Sequence, residues 1–255
     1  MEELGGEAGR DGRIRDIEKG VVASDVSGSI IAGRDVNQII HGVDPGEHAR
    51  ALAQIEILRE KLAISSAASE GSPTQEQVRA AKEAIRVAED LESIGAILGP
   101  DELVELGNAA NLGGRTSTAE GYYREGLSMV RNIGDRGYEA TFLLNLGSIS
   151  FRRGDYDESE TLNRDALSIV REIGDREVEA KALNNLGAII AMRGDEEEAA
   201  RLYQESLAIV REIGDRRVEC LAVHNLGSRA QHKGDFVGAN SNYREGLQIA
   251  RENGY

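Results

Sequence analysis

Few residues in this chain are of types that do chemistry. The histidines are His41, His48, His224 and His232, and the single cysteine is Cys220. His224 and His232 are eight positions apart, which lets them share one face of a helix. No Cys, Asp or Glu joins them at ligand spacing, so they read as solvent-facing residues rather than a metal site. Cys220 falls where two equivalent positions carry Ala140 and Ala180, which makes it a small packing residue and not a nucleophile. Gly33-Arg34-Asp35 and the other glycines form no phosphate loop, because no Lys-Ser or Lys-Thr follows at the required spacing. The expectation is a chain with no catalytic set, no metal and no cofactor.

Composition narrows the partners. The 255 residues carry a formal charge of −15, and such a surface repels phosphate backbones, so no nucleic-acid partner is expected. No apolar run approaches the roughly 18 residues of a membrane span, and no membrane partner is expected. A lone cysteine makes no intramolecular disulfide, and Met1-Glu2-Glu3 is acidic where a signal peptide is basic. The expected location is the cytoplasm. Aromatics are 4% and Trp is absent, a composition that packs with Leu, Ile, Val and Ala and suits stacked helices.

The elements that would position any site repeat. Asn145-Leu146-Gly147 returns as Asn185-Leu186-Gly187 and Asn225-Leu226-Gly227, with Glu105-Leu106-Gly107 as a weaker copy. The same shift carries Gly114 to Gly154, Gly194 and Gly234, and carries Ile133-Gly134-Asp135-Arg136 to Ile173-Gly174-Asp175-Arg176 and Ile213-Gly214-Asp215-Arg216. A fixed period in the range of roughly 20–50 residues, two helices per unit, is the signature of a helical solenoid. The expected fold is mainly α, a right-handed α-solenoid of four helix-turn-helix repeats preceded by a helical hairpin and a short β-strand segment.

Residues 1–15 are rich in Gly, Glu and Arg and are expected to be a mobile N-terminus. Residues 16–44 alternate Val and Ile pairs with Gly, Ser, Asp and Asn and read as short strands. Val21, Val22, Val26, Ile30, Ile31, Val36, Ile39 and Ile40 are more apolar side chains than so short a segment buries alone. They either pack on this chain's helices or pair with other copies into a homo-oligomer. Residues 45–100 read as two helices, His48 to about Ser66 and about Ser72 to Leu98, serving as a cap or a short coiled coil. The repeats follow at about 101–134, 135–174, 175–214 and 215–255. In the third, helix A spans about Arg176 to Met192 and helix B about Glu196 to Glu212, each roughly 25 Å long at 1.5 Å per residue. Gly194 ends helix A, and Asp195 with Glu198 forms a capping box; Asp155 with Glu158 repeats it, while Gly238 weakens the cap of Asp235.

These residues resemble the tetratricopeptide repeat. Leu186-Gly187, Ala199, Tyr203 and Ser206 match the family pattern, as do Leu226-Gly227, Ala239, Tyr243 and Gly246, and Leu106-Gly107, Ala119 and Tyr123. The second unit departs from it at Ser159 and Asn163, and Arg171 and Arg211 stand where the family usually has proline. Gly187 and Ala199 let the two helices of a unit approach closely. The longer period is similar to that of bacterial and archaeal sensor proteins and of kinesin light chain. The run over residues 26–40 more loosely resembles segments that precede helices in bacterial conflict-system and NLR-like proteins.

The resemblance covers Asp101 to Tyr255 and implies that the A helices line a concave groove for a protein or peptide. By alignment that face carries Leu144, Asn145, Ser148 and Arg152; Lys181, Asn184, Asn185, Ala188 and Met192; and Leu221, His224, Asn225, Ser228 and His232. An Asn amide donates and accepts at once, as a peptide bond does. Asn145, Asn185 and Asn225 thus either bind a peptide backbone or tie one A helix to the next. The expected function is a non-catalytic interaction scaffold that self-assembles through its N-terminal strands, or a regulatory sensor whose repeats bind a small peptide or ligand and control a separate effector.

Overall fold

The computed structural model describes residues 30–31, 45–66, 73–93 and 96–253. Among them are ten helices: α1 (Pro45–Ser66), α2 (Gln75–Ser93), α3 (Pro100–Leu112), α4 (Thr116–Ile133), α5 (Arg136–Arg153), α6 (Tyr156–Ile173), α7 (Arg176–Met192), α8 (Glu196–Ile213), α9 (Arg216–His232) and α10 (Phe236–Asn253). The chain divides into two compact units, one running to Gly134 and the other from Asp135.

In the first unit α1 pairs with α2, α3 with α4, and α3 rests on α1 and α2. The first repeat, α3 and α4, thus shares a core with the helical hairpin, through Leu58, Leu62, Ile85, Leu91, Leu103 and Leu106. Helix α2 stops at Ser93, short of the expected Leu98, and Ala96–Ile97 pairs in parallel with Ile30–Ile31 of the same chain. That two-residue pairing is the described part of the expected strand segment. Val21, Val22, Val26, Val36, Ile39 and Ile40 lie outside the described residues, as do His41 and residues 1–15.

The second unit holds three helix pairs, α5–α6, α7–α8 and α9–α10, and each pair packs on the next. It is an α-solenoid of paired helices, as the 40-residue register predicts. The Leu-Gly glycine sets each crossing. A Cβ on Gly187 would come within 2.7 Å of Tyr203 Cε1, and one on Gly227 within 2.8 Å of Tyr243 Cε1, so an aromatic ring of helix B occupies the space that glycine leaves on helix A. The second repeat replaces that ring with Asn163, which lies buried against Gly147, and Ser159 Oγ donates to the Gly147 carbonyl at 2.8 Å.

The turns follow the expected chemistry with three exceptions, the first being the Asp195 capping box, of which only the aspartate's half forms, since the Glu198 carboxylate pairs with Arg201. Gly174 (φ 77°) and Gly194 (φ 88°) hold the left-handed backbone that lets one helix stop and the next begin. The carboxylates of Asp135, Asp175, Asp195 and Asp215 accept from amides in the first turns of α5, α7, α8 and α9. Asp155 makes no such bond; its Oδ2 lies 3.6 Å from Arg153 Nε, and the Glu158 carboxylate, the other half of the expected box, accepts from Ser150 Oγ at 2.8 Å. Asp235 does cap α10, accepting from Gly238 N at 2.9 Å, since the bond needs only a backbone amide.

Candidate functional site

Helices α5, α7 and α9 are the A helices of the second unit and lie side by side, α5 on α7 and α7 on α9. On each, positions four, three and four apart form one stripe that stays half-buried or exposed. The stripes read Thr141, Asn145, Ser148 and Arg152; Lys181, Asn185, Ala188 and Met192; Leu221, Asn225, Ser228 and His232. Most of the expected groove residues are therefore on one open face.

Two of them are not. Leu144 is 7% exposed and Asn184 is 6% exposed, because the following repeat covers that side of each A helix. His224, at the same register, is exposed and lies against the Tyr243 ring with centroids 5.4 Å apart. Asn184 serves the packing of the repeats, since its Oδ1 accepts from Asn225 Nδ2 at 3.0 Å and joins α7 to α9. Asn225 is thus a tie between repeats, whereas among the described residues Asn145 and Asn185 have no hydrogen-bond partner for their amides.

The rest of the face is partly committed. Lys181 Nζ pairs with Glu177 at 2.5 Å. Ser148 Oγ donates to the Leu144 carbonyl at 2.9 Å, and Ser228 Oγ accepts from Arg229 at 3.1 Å. His232 Nδ1 lies 2.7 Å from the Ser228 carbonyl. Met192 and Leu221 offer exposed apolar surface, 57% and 48%. Among the described residues no group of three or more His, Cys, Asp or Glu could hold a metal ion. Cys220 is half-buried, with Sγ 3.4 Å from the Gly246 carbonyl, and burial, aided by the Glu219 carboxylate, pushes its thiol up from the ordinary value.

What the sequence reading missed is the role of the arginines in the Arg-Glu-Ile-Gly-Asp-Arg connection. Glu179 is buried and held from both sides, by Arg171 Nε at 2.9 Å and Arg176 Nη1 at 2.5 Å. Arg171 also reaches Glu205, and Arg176 reaches Glu212 at 3.3 Å. Forty residues on, Glu219 sits between Arg211 Nε at 3.0 Å and Arg216 Nη1 at 2.5 Å. The hydrogen bond to Glu219 holds the Arg211 guanidinium above its ordinary pKa. Arg171 and Arg211, which replace the family's proline, bind one repeat to the next. The signal was a Glu eight residues after each of these arginines, at 179 and 219.

Among the described residues no helix is long and apolar enough to cross a membrane. No curated protein matches the sequence. The fold is shared with BtubC (BKLC) from P. vanneervenii, at 19% identity over 83% of this chain and 94% of that one, TM-score 0.58. It is shared with a Rap protein complexed with competence and sporulation factor, at 16% identity and TM-score 0.60, and with NprR in complex with its cognate peptide NprX, at 15% and 0.57. Those alignments cover 80% and 82% of this chain but 52% and 57% of the other, so the chain spans about half the length of either protein. The tetratricopeptide repeat profile matches residues 138–212 and 178–252. With the helix pairs, the glycine crossings and this match together, residues 138–252 are tetratricopeptide repeats.

Proposed function

We propose that this chain is a non-catalytic scaffold that binds an extended protein or peptide segment across the open face of α5, α7 and α9. The observation that carries the reading is the pair Asn145 and Asn185. They occupy the same register on neighbouring A helices, half-buried, with amides that no described residue engages, while Asn225 at the same register is tied to Asn184. Two carboxamides one repeat apart offer a peptide backbone both a donor and an acceptor. Arg152, Met192, Leu221 and His232 flank them and would read side chains. In the test, the Asn145→Ala, Asn185→Ala double variant is compared with the parent chain for capture of partners from the native cell. Partner capture falls tenfold or more at unchanged helical circular dichroism; full retention by the folded double variant moves the site elsewhere.

A second reading is favoured by the fold shared with NprR in complex with its cognate peptide and with the Rap protein complexed with competence and sporulation factor. In it the chain is a cytoplasmic regulatory sensor, and a small peptide on the same face controls a separate effector. The N-terminal segment belongs to either reading as an assembly element, making the full chain a homo-oligomer. Light scattering on the full chain and on a chain starting at Pro45 tests this: a monomer in both cases ends the assembly reading.

A further inference from the structure

The boundary between α2 and α4 in the first unit lacks a pairing that the boundaries of the second unit share. There, the Glu205 and Glu245 carboxylates each meet an arginine of the preceding helix B, Arg171 and Arg211. Glu172 and Glu212, at the ends of α6 and α8, meet Arg136 at 3.1 Å and Arg176 at 3.3 Å. The repeat register carries Glu205 back to Glu125 on α4 and Glu172 back to Glu92 on α2. It carries Arg171 back to Leu91, which is buried in the core. Among the described residues neither Glu92 nor Glu125 has a cationic partner.

The unpaired carboxylates bear on one place. Arg115, which opens α4, reaches Glu89 of α2 at 3.8 Å. Partial burial, then the Glu125 and Glu89 carboxylates, raises the pKa of Glu92 above its ordinary value, and burial raises that of Glu125. Both side chains still reach solvent. The Tyr122 phenol faces the same carboxylates: burial, then Glu92 and Glu89, pushes it up to about 12. Tyr122 is 8% exposed, yet its phenol has no hydrogen-bond partner among the described residues. A buried phenol ordinarily finds one.

The cluster therefore calls for a cation that also donates hydrogen bonds. Among the described residues no group of carboxylates could hold a metal ion, so the matching cation is organic. A guanidinium presents its N–H donors in a planar fork and can serve two carboxylates and a phenol oxygen together, whereas an ammonium is a compact point charge. A guanidinium is also what the boundaries of the second unit place against the same glutamate registers.

We infer that Glu92, Glu125 and the Tyr122 phenol form a binding site for a guanidinium, the side chain of an arginine carried by a partner segment or by this chain's own N-terminal residues. The site belongs to the first unit and stands independently of the open face of α5, α7 and α9.

The probe is N-acetyl-arginine amide, titrated into the isotope-labelled full chain and followed by NMR. It shifts the amides around Glu92 and Glu125 with a dissociation constant on the order of 1 mM, and N-acetyl-lysine amide binds about threefold more weakly or worse. Glu92→Gln and Glu125→Gln each weaken binding about fivefold, and Tyr122→Phe about threefold. The two glutamates are exposed and the phenylalanine keeps the buried ring, so these variants keep the fold. Binding by the parent chain means that the site is open to a partner's arginine. No shift in the parent, with binding restored by replacing Arg10, Arg13, Arg15 and Arg34 with alanine, means that the chain's own arginine fills it. No shift in either chain at about 50 mM probe, equal affinity for the lysine probe, or shifts that Glu92→Gln leaves unchanged overturns the proposal.

Discussion

Asn225 Nδ2 donates to Asn184 Oδ1 across 3.0 Å, joining two A helices through residues 41 positions apart. Asn145 and Asn185 have the same chemistry and neighbouring registers but no such bond among the described residues. One amide type therefore does two jobs, and they separate by experiment. A double-mutant cycle of Asn184→Ala and Asn225→Ala in thermal unfolding gives a coupling of about 1 kcal/mol, the net worth of a part-buried hydrogen bond. The same cycle on Asn145 and Asn185 gives a coupling near zero.

Gly187→Val drives two methyl groups into the Tyr203 ring. Overpacking of this kind costs roughly 1–3 kcal/mol or more, so the melting temperature falls well below that of Glu197→Ala, which alters only an exposed side chain. Equal melting temperatures would contradict the crossing described for α7 and α8.

Glu179→Ala removes the buried carboxylate that Arg171 and Arg176 share at a repeat boundary and leaves them only Glu205 and Glu212. Hydrogen bonds to charged groups are worth about 1.5–3 kcal/mol when one partner is buried; both arginines are near half exposed, so the lower end is expected. Chemical denaturation in low and high salt distinguishes this clamp from the exposed Lys181–Glu177 pair. The clamp keeps most of its contribution in salt, and the Lys181–Glu177 pair loses its own.

Glu105 takes the Asn register in the first repeat. It is half-buried, and its Oε2 has no hydrogen-bond partner among the described residues. Burial, then the Asp101 carboxylate, pushes its pKa above the ordinary 4.5. A raised folded pKa means the folded state holds the proton more tightly, so this group's contribution is present at low pH and lost as pH rises through the raised value. Glu105→Gln, neutral at every pH, is therefore more stable than the parent at pH 7 and loses that advantage near pH 4, as read by the denaturation midpoint.

Burial pushes the Tyr203 phenol up to about 12 from its ordinary 10. Its share of stability is complete below pH 10 and is lost as pH climbs from about 10 to 12, where only the unfolded chain ionises freely. Tyr203→Phe flattens that part of the alkaline unfolding curve.

Features that depend on local chemistry and register are settled by the order of the residues alone. The turns at Gly174 and Gly194, the aspartate caps of α7 and α9, and the pairing of Gly187 with a helix B were legible because each is written within 40 residues. The open face was legible as a stripe, since 145, 148 and 152 fall together on any helix. Which flank of each A helix the next repeat covers was settled only by the packing of one repeat on another. That choice buries Leu144 and Asn184, leaves His224 open, and turns Asn225 from a free amide into a tie. It also decides what holds Glu179 and Glu219 under cover, because only stacking brings an arginine from the preceding repeat alongside. Periodicity names the residues that face outward from one helix; packing alone names those that still face outward once a second helix has arrived.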